Sequence, residues 1–285
     1  MNIAAIERAH EHSPGMVDND HAILAATAEH LRAMGHNVEF TNILQAQNCK
    51  FDAVIHMSRT KELLEVLKET EKYSTRIFNT PQAVEHCSRS TFVKILAQKG
   101  IPQPIYITIE GNDAPCEGYP MWLKRGDGWS CHQGDVVFAK SRIEATEAIQ
   151  NMRKRGVKEI LTSPHIEGDI IKFYGVSGSD ETPPFFRLYY PDTTKSKFQL
   201  ERHNGECHKY PFHIETLQSI AFAAAKAIGI DIFGGDCIVS PKGEIQIIDM
   251  NDFPSFKSCR DEAAAAIATL INSKKQTIEK DERRG

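Results

Sequence analysis

This sequence predicts an α/β (α+β) fold, and three features of it carry that prediction. Over residues 1–85 short apolar runs alternate with helical stretches, the pattern of a small parallel sheet covered on both faces. From Pro81 onward the order becomes mixed, with strands following one another more often than they follow helices. Near the C-terminal end two long strand runs flank Ser240-Pro241-Lys242-Gly243, the composition of a hairpin turn.

The elements follow in order. Asn2–Ile6 is an apolar strand, and Asp18-Asn19-Asp20 can cap a helix that runs to Met34 and stops at Gly35. Val38–Ile43 and Ala53–Met57 read as strands, Lys61–Glu71 as an amphipathic helix with Leu63, Leu64 and Leu67 apolar, and Arg76–Phe78 as a strand. A helix over Ser88–Lys99 ends at Gly100-Ile101-Pro102, and a strand near Ile105–Ile109 follows. Strands at Met121–Lys124 and Asp135–Phe138 bracket a polar loop, Gly126–Gly134. After a helix over Arg142–Arg155 come strands at Ile160–Thr162, Asp169–Val176 and Phe185–Tyr190. Ile214, Leu217, Ala221, Ala224 and Ile228 form one stripe of a helix. The hairpin strands Asp231–Val239 and Glu244–Met250 precede a last helix, Arg260 to Ile271, and a polar tail.

Composition narrows the partners. The 285 residues are 41% hydrophobic and 25% charged, enough for a sizeable core. A net charge of -4 gives no basic field for nucleic acid or anionic membrane. No apolar run approaches the ~18 residues of a membrane helix. The first residues turn charged too early for a secretory signal, so the expected location is cytoplasmic. Seven scattered cysteines, with no Cys-x-x-Cys pair, argue against disulfides and structural zinc; most read as small buried apolar residues.

The hairpin carries the chemistry. A type I turn over Ser240–Gly243 pairs Val239 with Glu244, which sets Asp236 opposite Ile247. Strand alternation then places Asp236, Asp249 and Asn251 on one face. Two carboxylates and an amide oxygen amid isoleucines read as a cation site, with a solvated hairpin face as the alternative, and a hard oxygen set suits Mg²⁺, or Mn²⁺ in its place.

The run Gly235-Asp236, hairpin, Asp249-Met250-Asn251-Asp252-Phe253-Pro254 resembles the magnesium-binding end of ATP-grasp enzymes. Glutathione synthetase, ribosomal-protein glutamate ligases and inositol trisphosphate kinases belong to that superfamily. Many of the ligases have Glu where this chain has Asp249; the inositol kinases have Asp. The resemblance covers residues 80 to 272 and implies an ATP-grasp fold preceded by a Rossmann-like domain. The chain then divides into a pre-ATP-grasp domain (1–85), a small subdomain with a phosphate lid (86–162) and a large subdomain with the metal site (163–275), and the polar composition of the last residues reads as a disordered tail (276–285).

The resemblance also implies an ATP site. Arg89 falls where the family usually has a phosphate-binding lysine; an exposed helix cation is the alternative. Lys124, ending an apolar strand, matches the second ATP lysine; a strand-edge lysine is the alternative. Gly126 and Gly128 open a loop whose amides can turn toward an anion, as a phosphate lid, with a plain hairpin turn as the alternative. His132 reads as a proton-transfer group, a phosphate contact, or an exposed loop histidine. Ser163, His165 and Ile166 match the hinge that reads adenine through the main chain, and Asp169 the position that binds ribose hydroxyls. Lys172 shares a strand face with Tyr174 and is assigned to the phosphates or the acceptor. Arg187, among aromatic residues, either forms a structural salt bridge or stabilises the transferring phosphoryl group. The implied activity is a ligase that turns a small-molecule or peptide carboxylate into an acyl phosphate for an amine or thiol. A small-molecule kinase and a non-catalytic nucleotide binder are the alternatives. Dimers are common among such enzymes, so a homodimer is a further expectation.

Overall fold

The computed structural model describes residues 1–42, 51–72, 75–179, 182–191 and 203–282, with side chains as far as Ser273. Among these, three four-stranded sheets and seven α-helices make up the molecule.

The first sheet holds β1 (Asn2–Ile6), β2 (Asn37–Phe40), β3 (Ala53–His56) and β4 (Arg76–Phe78) in the order β2-β1-β3-β4, all parallel. The period of two in β1 explains its layering. Ile3 and Ala5 face a core with Ile23, Leu24 and Leu31 of helix α1 (Val17–Ala33). Ala4 and Ile6 face the opposite core with Leu63 and Leu67 of helix α2 (Lys61–Glu71). The expected capping residues Asp18 and Asp20 lie inside the first turn of α1, where carboxylates still favour the helix dipole. Ile43, the expected end of β2, lies outside the described residues.

A short helix α3 (Pro81–His86), capped by Thr80, leads into α4 (Arg89–Gln98). The second sheet has the order β5-β8-β6-β7, all antiparallel, from β5 (Ile107–Thr108), β6 (Met121–Arg125), β7 (Val136–Ala139) and β8 (Ile160–Pro164). Helix α5 (Arg142–Lys154) covers it, setting Ala145, Ile149 and Met152 on Leu123, Ala139 and Ile160.

The third sheet is antiparallel, β10-β9-β11-β12, from β9 (Asp169–Val176), β10 (Phe185–Tyr189), β11 (Ile232–Val239) and β12 (Ile245–Asp252). One face packs Ile171, Phe173, Cys237 and Ile247 against α4 and α6 (Ile214–Ile228). Phe173 is fully buried, and truncating such a ring to alanine costs about 3–5 kcal/mol. Gly235 is required beside it: a Cβ there would meet Phe173 Cζ at 2.4 Å and the Asp249 carbonyl at 2.5 Å. The other face is left for the cleft.

Two expectations are corrected. The last helix, α7, runs Arg260–Glu282 rather than ending near Ile271. Its residues Ala263, Ile267 and Ile271 join the core of the first sheet, so the first half of this helix packs on the N-terminal sheet. Of the six described cysteines only Cys87, Cys237 and Cys259 are buried.

Candidate functional site

A cleft of about 660 Å³ opens where the three sheets meet. The polar face of the third sheet forms its floor. Along β9 the alternation sends Ile170, Lys172 and Tyr174 to the cleft and Ile171 and Phe173 to the core. Along β11 it sends Asp236 and Ile238 to the cleft.

The hairpin reaches the expected grouping by a different register. Gly243 N–H donates to the Ser240 carbonyl at 2.8 Å, so the turn forms. Gly243 then adopts φ +79°, and Val239 faces Ile245 instead of Glu244. A bulge between Asp236 and Cys237 on the ladder leaves Ile248 as an extra residue. These two offsets move Asp236 from Ile247 to a position directly opposite Asp249. The bulge also breaks the alternation of β12: Ile247 is buried in the core, whereas Ile248 and Asp249 both line the cleft. Ile247 therefore does not share the face of Asp236, Asp249 and Asn251, as alternation had implied.

Cations meet this set. Lys172 Nζ lies 3.1 Å from Asp236 Oδ1, and Arg89 Nη2 lies 3.3 Å from Asp249 Oδ1. Asn251 Nδ2 donates to Asp249 Oδ2 at 3.2 Å. Arg89, at the start of α4, is buried, and its Nη1 also donates to the Arg125 carbonyl at 3.0 Å. Lys124 Nζ sits 3.3 Å from the Ile248 carbonyl and 3.4 Å from the Tyr106 hydroxyl. Burial, helped by Arg89, pulls the Lys124 pKa down to about 8, against the opposing pull of Asp249 and Asp236. Among the described residues no three His, Cys, Asp or Glu side chains cluster; the donor set is two carboxylates and an amide. Those oxygens fit a hard divalent cation that completes its shell with phosphate oxygens and water.

The other proposed residues fall in different places. Gly128 lines the cleft. Gly126 does not; it is a packing glycine, where a Cβ would meet Ser90 Oγ at 2.3 Å. His132 is exposed and caps a short 3₁₀ turn, accepting from Gly134 N–H at 3.0 Å. Ser163 and Ile166 line the cleft, but the Ile166 carbonyl accepts from Asn204 at 3.0 Å. His165 N–H donates to the Pro120 carbonyl at 3.1 Å, and its ring accepts from Trp122 Nε1 at 3.2 Å. Asp169 is buried outside the cleft lining and accepts from His208 and Tyr210 N–H, each at 2.7 Å. Arg187 also lies outside the lining, half-exposed, ion-paired with Glu262 at 2.7 Å and stacked over Phe185.

Sequence reasoning missed Arg59 and Trp129. Arg59 reaches the cleft from just beyond β3, bonds Asp252 at 2.7 Å and stacks on Trp129 of the glycine loop at 5.0 Å. Burial pushes the Asp252 carboxyl up, but Arg59 and Arg8 outweigh it and hold it below the ordinary value. The signal available was position: Arg59 follows the carboxyl end of a parallel strand, where α/β sheets place their sites.

No protein-family model matches this chain, and no curated protein matches it in sequence. Solved structures do match. The D-alanine-D-alanine ligase from Coxiella burnetii superposes with a TM-score of 0.66 at 13% identity, over 100% of both chains. The D-alanine–D-alanine ligase from Bacillus anthracis complexed with ATP gives 0.66 at 12% identity, over 99% of each. A RimK domain ATP-grasp protein from Sphaerobacter thermophilus gives 0.66 at 17% identity, over 94% of this chain and 98% of that one. With three sheets enclosing one cleft, and with these structures superposing along nearly the whole chain, this protein has the ATP-grasp fold.

Proposed function

We propose that this chain is a Mg-ATP-dependent ligase that activates a small carboxylate as an acyl phosphate for attack by an amine or thiol. One observation carries the reading: the ion pairs Lys172–Asp236 and Arg89–Asp249 line a single cleft beside Lys124. In the free protein each carboxylate neutralises a cation. A nucleotide with its divalent ion offers both sets new partners at once, cations to phosphate oxygens and carboxylates to metal. Pairs that can exchange in this way avoid stranding a half-buried charge at either stage.

Asp236, Asp249 and Asn251 would hold the ion, which when bound neutralises phosphate charge. Arg89, Lys124 and Lys172 would grip the phosphates and keep the γ-phosphate in line with its acceptor. Trp122, Pro164, Ile166 and Ile238 give the cleft an apolar end suited to a base. Trp129 and Gly128 bring the glycine loop to the same cleft, where its closure would exclude water. No nucleophilic side chain is needed, because the substrate carboxylate attacks phosphorus and the second substrate attacks the acyl carbon. The ligases of the same fold support this class of reaction.

The test is acceptor-dependent ADP formation across amino acids, small peptides and polyols, with products identified by mass. A condensed product that requires both a carboxylate and an amine or thiol is expected. ADP formation with a hydroxyl compound alone would reassign the chain as a kinase.

A further inference from the structure

The glycine loop is anchored at its two ends in one way and held at its tip in another. At its start the Asp127 carboxylate accepts from Arg125 Nε at 2.8 Å and from Lys158 N–H at 2.7 Å. At its end Asp135, fully buried, accepts from the N–H groups of Cys131 at 3.0 Å and His132 at 2.8 Å, and pairs with Arg155 at 2.7 Å. All these partners belong to the small subdomain that carries the loop. Neither anchor takes in Gly128, Trp129 or Ser130, the loop residues that line the cleft.

The tip is held from across the cleft. Arg59 Cζ lies 5.0 Å from the Trp129 ring centroid, and the His12 ring meets the same indole edge-on at 6.2 Å and 72°. Two residues on, Cys131 Sγ sits 3.7 Å from His12 Nδ1. His12 follows β1 and Arg59 follows β3, so both come from the N-terminal sheet. The Trp129 Nε1–H is buried without a hydrogen bond, so ring contacts fix the indole. Arg59 can serve two partners because carboxylate bonds run in the guanidinium plane and leave its flat face for an aromatic ring. Its Nε donates to Asp252 at 2.8 Å, and Asp252 is the last residue of β12. Arg8 and Arg59 are balanced here by Asp20 and Asp252, so the cluster calls for no anion.

We infer that Arg59 is a positioning residue: stacked on Trp129, it latches the tip of the glycine loop to the N-terminal sheet and, through Asp252, to the metal hairpin. The consequence for turnover rests on the proposed ligase reading. A loop that is not latched admits water to the acyl phosphate. Water then attacks the acyl carbon, expels phosphate and returns the free carboxylate, so ATP is spent without a condensed product.

The first measurement needs no substrate. With 5-fluorotryptophan at both tryptophans, ¹⁹F NMR of the full chain with Mg-ADP gives two resonances, assigned by Trp129→Phe. Arg59→Lys keeps the charge facing Asp252 but has no flat face to stack. It should move the Trp129 resonance toward that of the free amino acid and leave the Trp122 resonance in place. Should Arg59→Lys fail to fold, His12→Ala opens the other side of the ring and should move the same resonance. The second measurement is phosphate released without condensed product. It should rise about tenfold in Arg59→Lys and in Trp129→Ala, less in Trp129→Phe, and no further in the Arg59→Lys, Trp129→Ala double variant. A Trp129 resonance that ignores both Arg59→Lys and His12→Ala overturns the latch, as do losses that multiply in the double variant. If the wild-type protein forms no condensed product with any acceptor, the ligase reading falls, and the ¹⁹F result alone then decides the latch.

Discussion

The two ends of the cleft treat their polar groups differently. At the end proposed for the phosphates, Lys172 pairs with Asp236 on the neighbouring strand and Arg89 reaches from its helix to Asp249, at 3.1–3.3 Å, in direct view of the cleft. At the other end the proposed hinge is tied up by the fold. The His165 N–H is bonded to Pro120, the Ile166 carbonyl to Asn204, and the Asp169 carboxylate to two loop amides. A charge paired with another mobile side chain can change partners when a ligand arrives. A group bonded to rigid backbone changes partners only if that backbone moves. Arg89 and Lys124 also donate to backbone carbonyls, so the mark of ligand-facing chemistry is the added side-chain ion pair, and groups held by backbone alone mark architecture.

Substitution at Asp249 tests this contrast most severely. Asp249→Asn keeps the size and an acceptor but removes the charge facing Arg89. Mg-dependent ATP turnover should fall on the order of 10²–10³-fold, while the circular dichroism spectrum stays unchanged. Normal turnover would remove the metal assignment and with it the contrast.

Lys124 sharpens the contrast through pH. Its folded pKa, about 8, lies below the ordinary lysine value of 10.5, so between these values the unfolded chain binds more protons. The free protein therefore gains stability from this group as pH rises from about 8 toward 10.5. Nucleotide binding acts in the opposite sense. Phosphate favours the charged amine, so binding near pH 8 should take up a proton, and affinity should fall as pH rises above that value. Calorimetry of ATP binding in two buffers of different ionisation enthalpy measures the uptake. Lys124→Met should abolish it and weaken ATP about tenfold, the equivalent of ~1.4 kcal/mol. A pH-independent affinity in the wild-type protein would place Lys124 away from the phosphates.

How much of this was legible follows from the range of each signal. Alternation along β1, β9 and β11 is local, so the sequence alone places Lys172 with Tyr174 and opposite Phe173. The turn at Ser240–Gly243 is local too, but its consequences are not. The extra residue at Gly243 and the bulge at Ile248 each shift the register by one, and together they preserve the face of Asp236. The grouping of Asp236 with Asp249 and Asn251 was thus reached through a pairing that the structure corrects. Asp169 shows the opposite failure: its partners, His208 and Tyr210, are some forty positions away, and nothing nearby signals them. Arg8 and Arg59 meet Asp252 across most of the chain, and no spacing rule spans that distance. The helix over Arg260–Glu282 continues past Ile271 into a polar stretch that carries no apolar stripe to mark it as helix.

Asp169 supplies the next test, with a smaller effect of a different kind. Asp169→Ala leaves two amides without acceptors, at about 1–3 kcal/mol each where they stay buried. Thermal melts should shift down accordingly. The dissociation constant for Mg-ADP should change by less than about threefold, roughly 0.7 kcal/mol. A large loss of nucleotide affinity with an unchanged melt would restore the ribose role and show that backbone satisfaction does not mark architecture here.

Arg187 has the smallest expected effect, for a reason its surroundings make plain. It stands opposite Tyr174, whose ring reaches the cleft, yet its guanidinium turns outward to Glu262 on α7 and lies over Phe185. Both charged partners are about half-exposed, at 48% and 58%, so water screens the pair and ~1 kcal/mol is its upper worth. Arg187→Ala should therefore change turnover by no more than about threefold and stability by less than ~1 kcal/mol. Glu262→Ala is the informative companion. If it frees Arg187 to swing toward the cleft, ATP turnover would become more sensitive to the loss of Arg187 in the double variant than in the single one. Equal sensitivity in both backgrounds would fix Arg187 as a surface brace between β10 and the last helix. A loss of more than a hundredfold in the single variant would return the residue to the transferring phosphate, by a movement that the exposed ion pair does not resist.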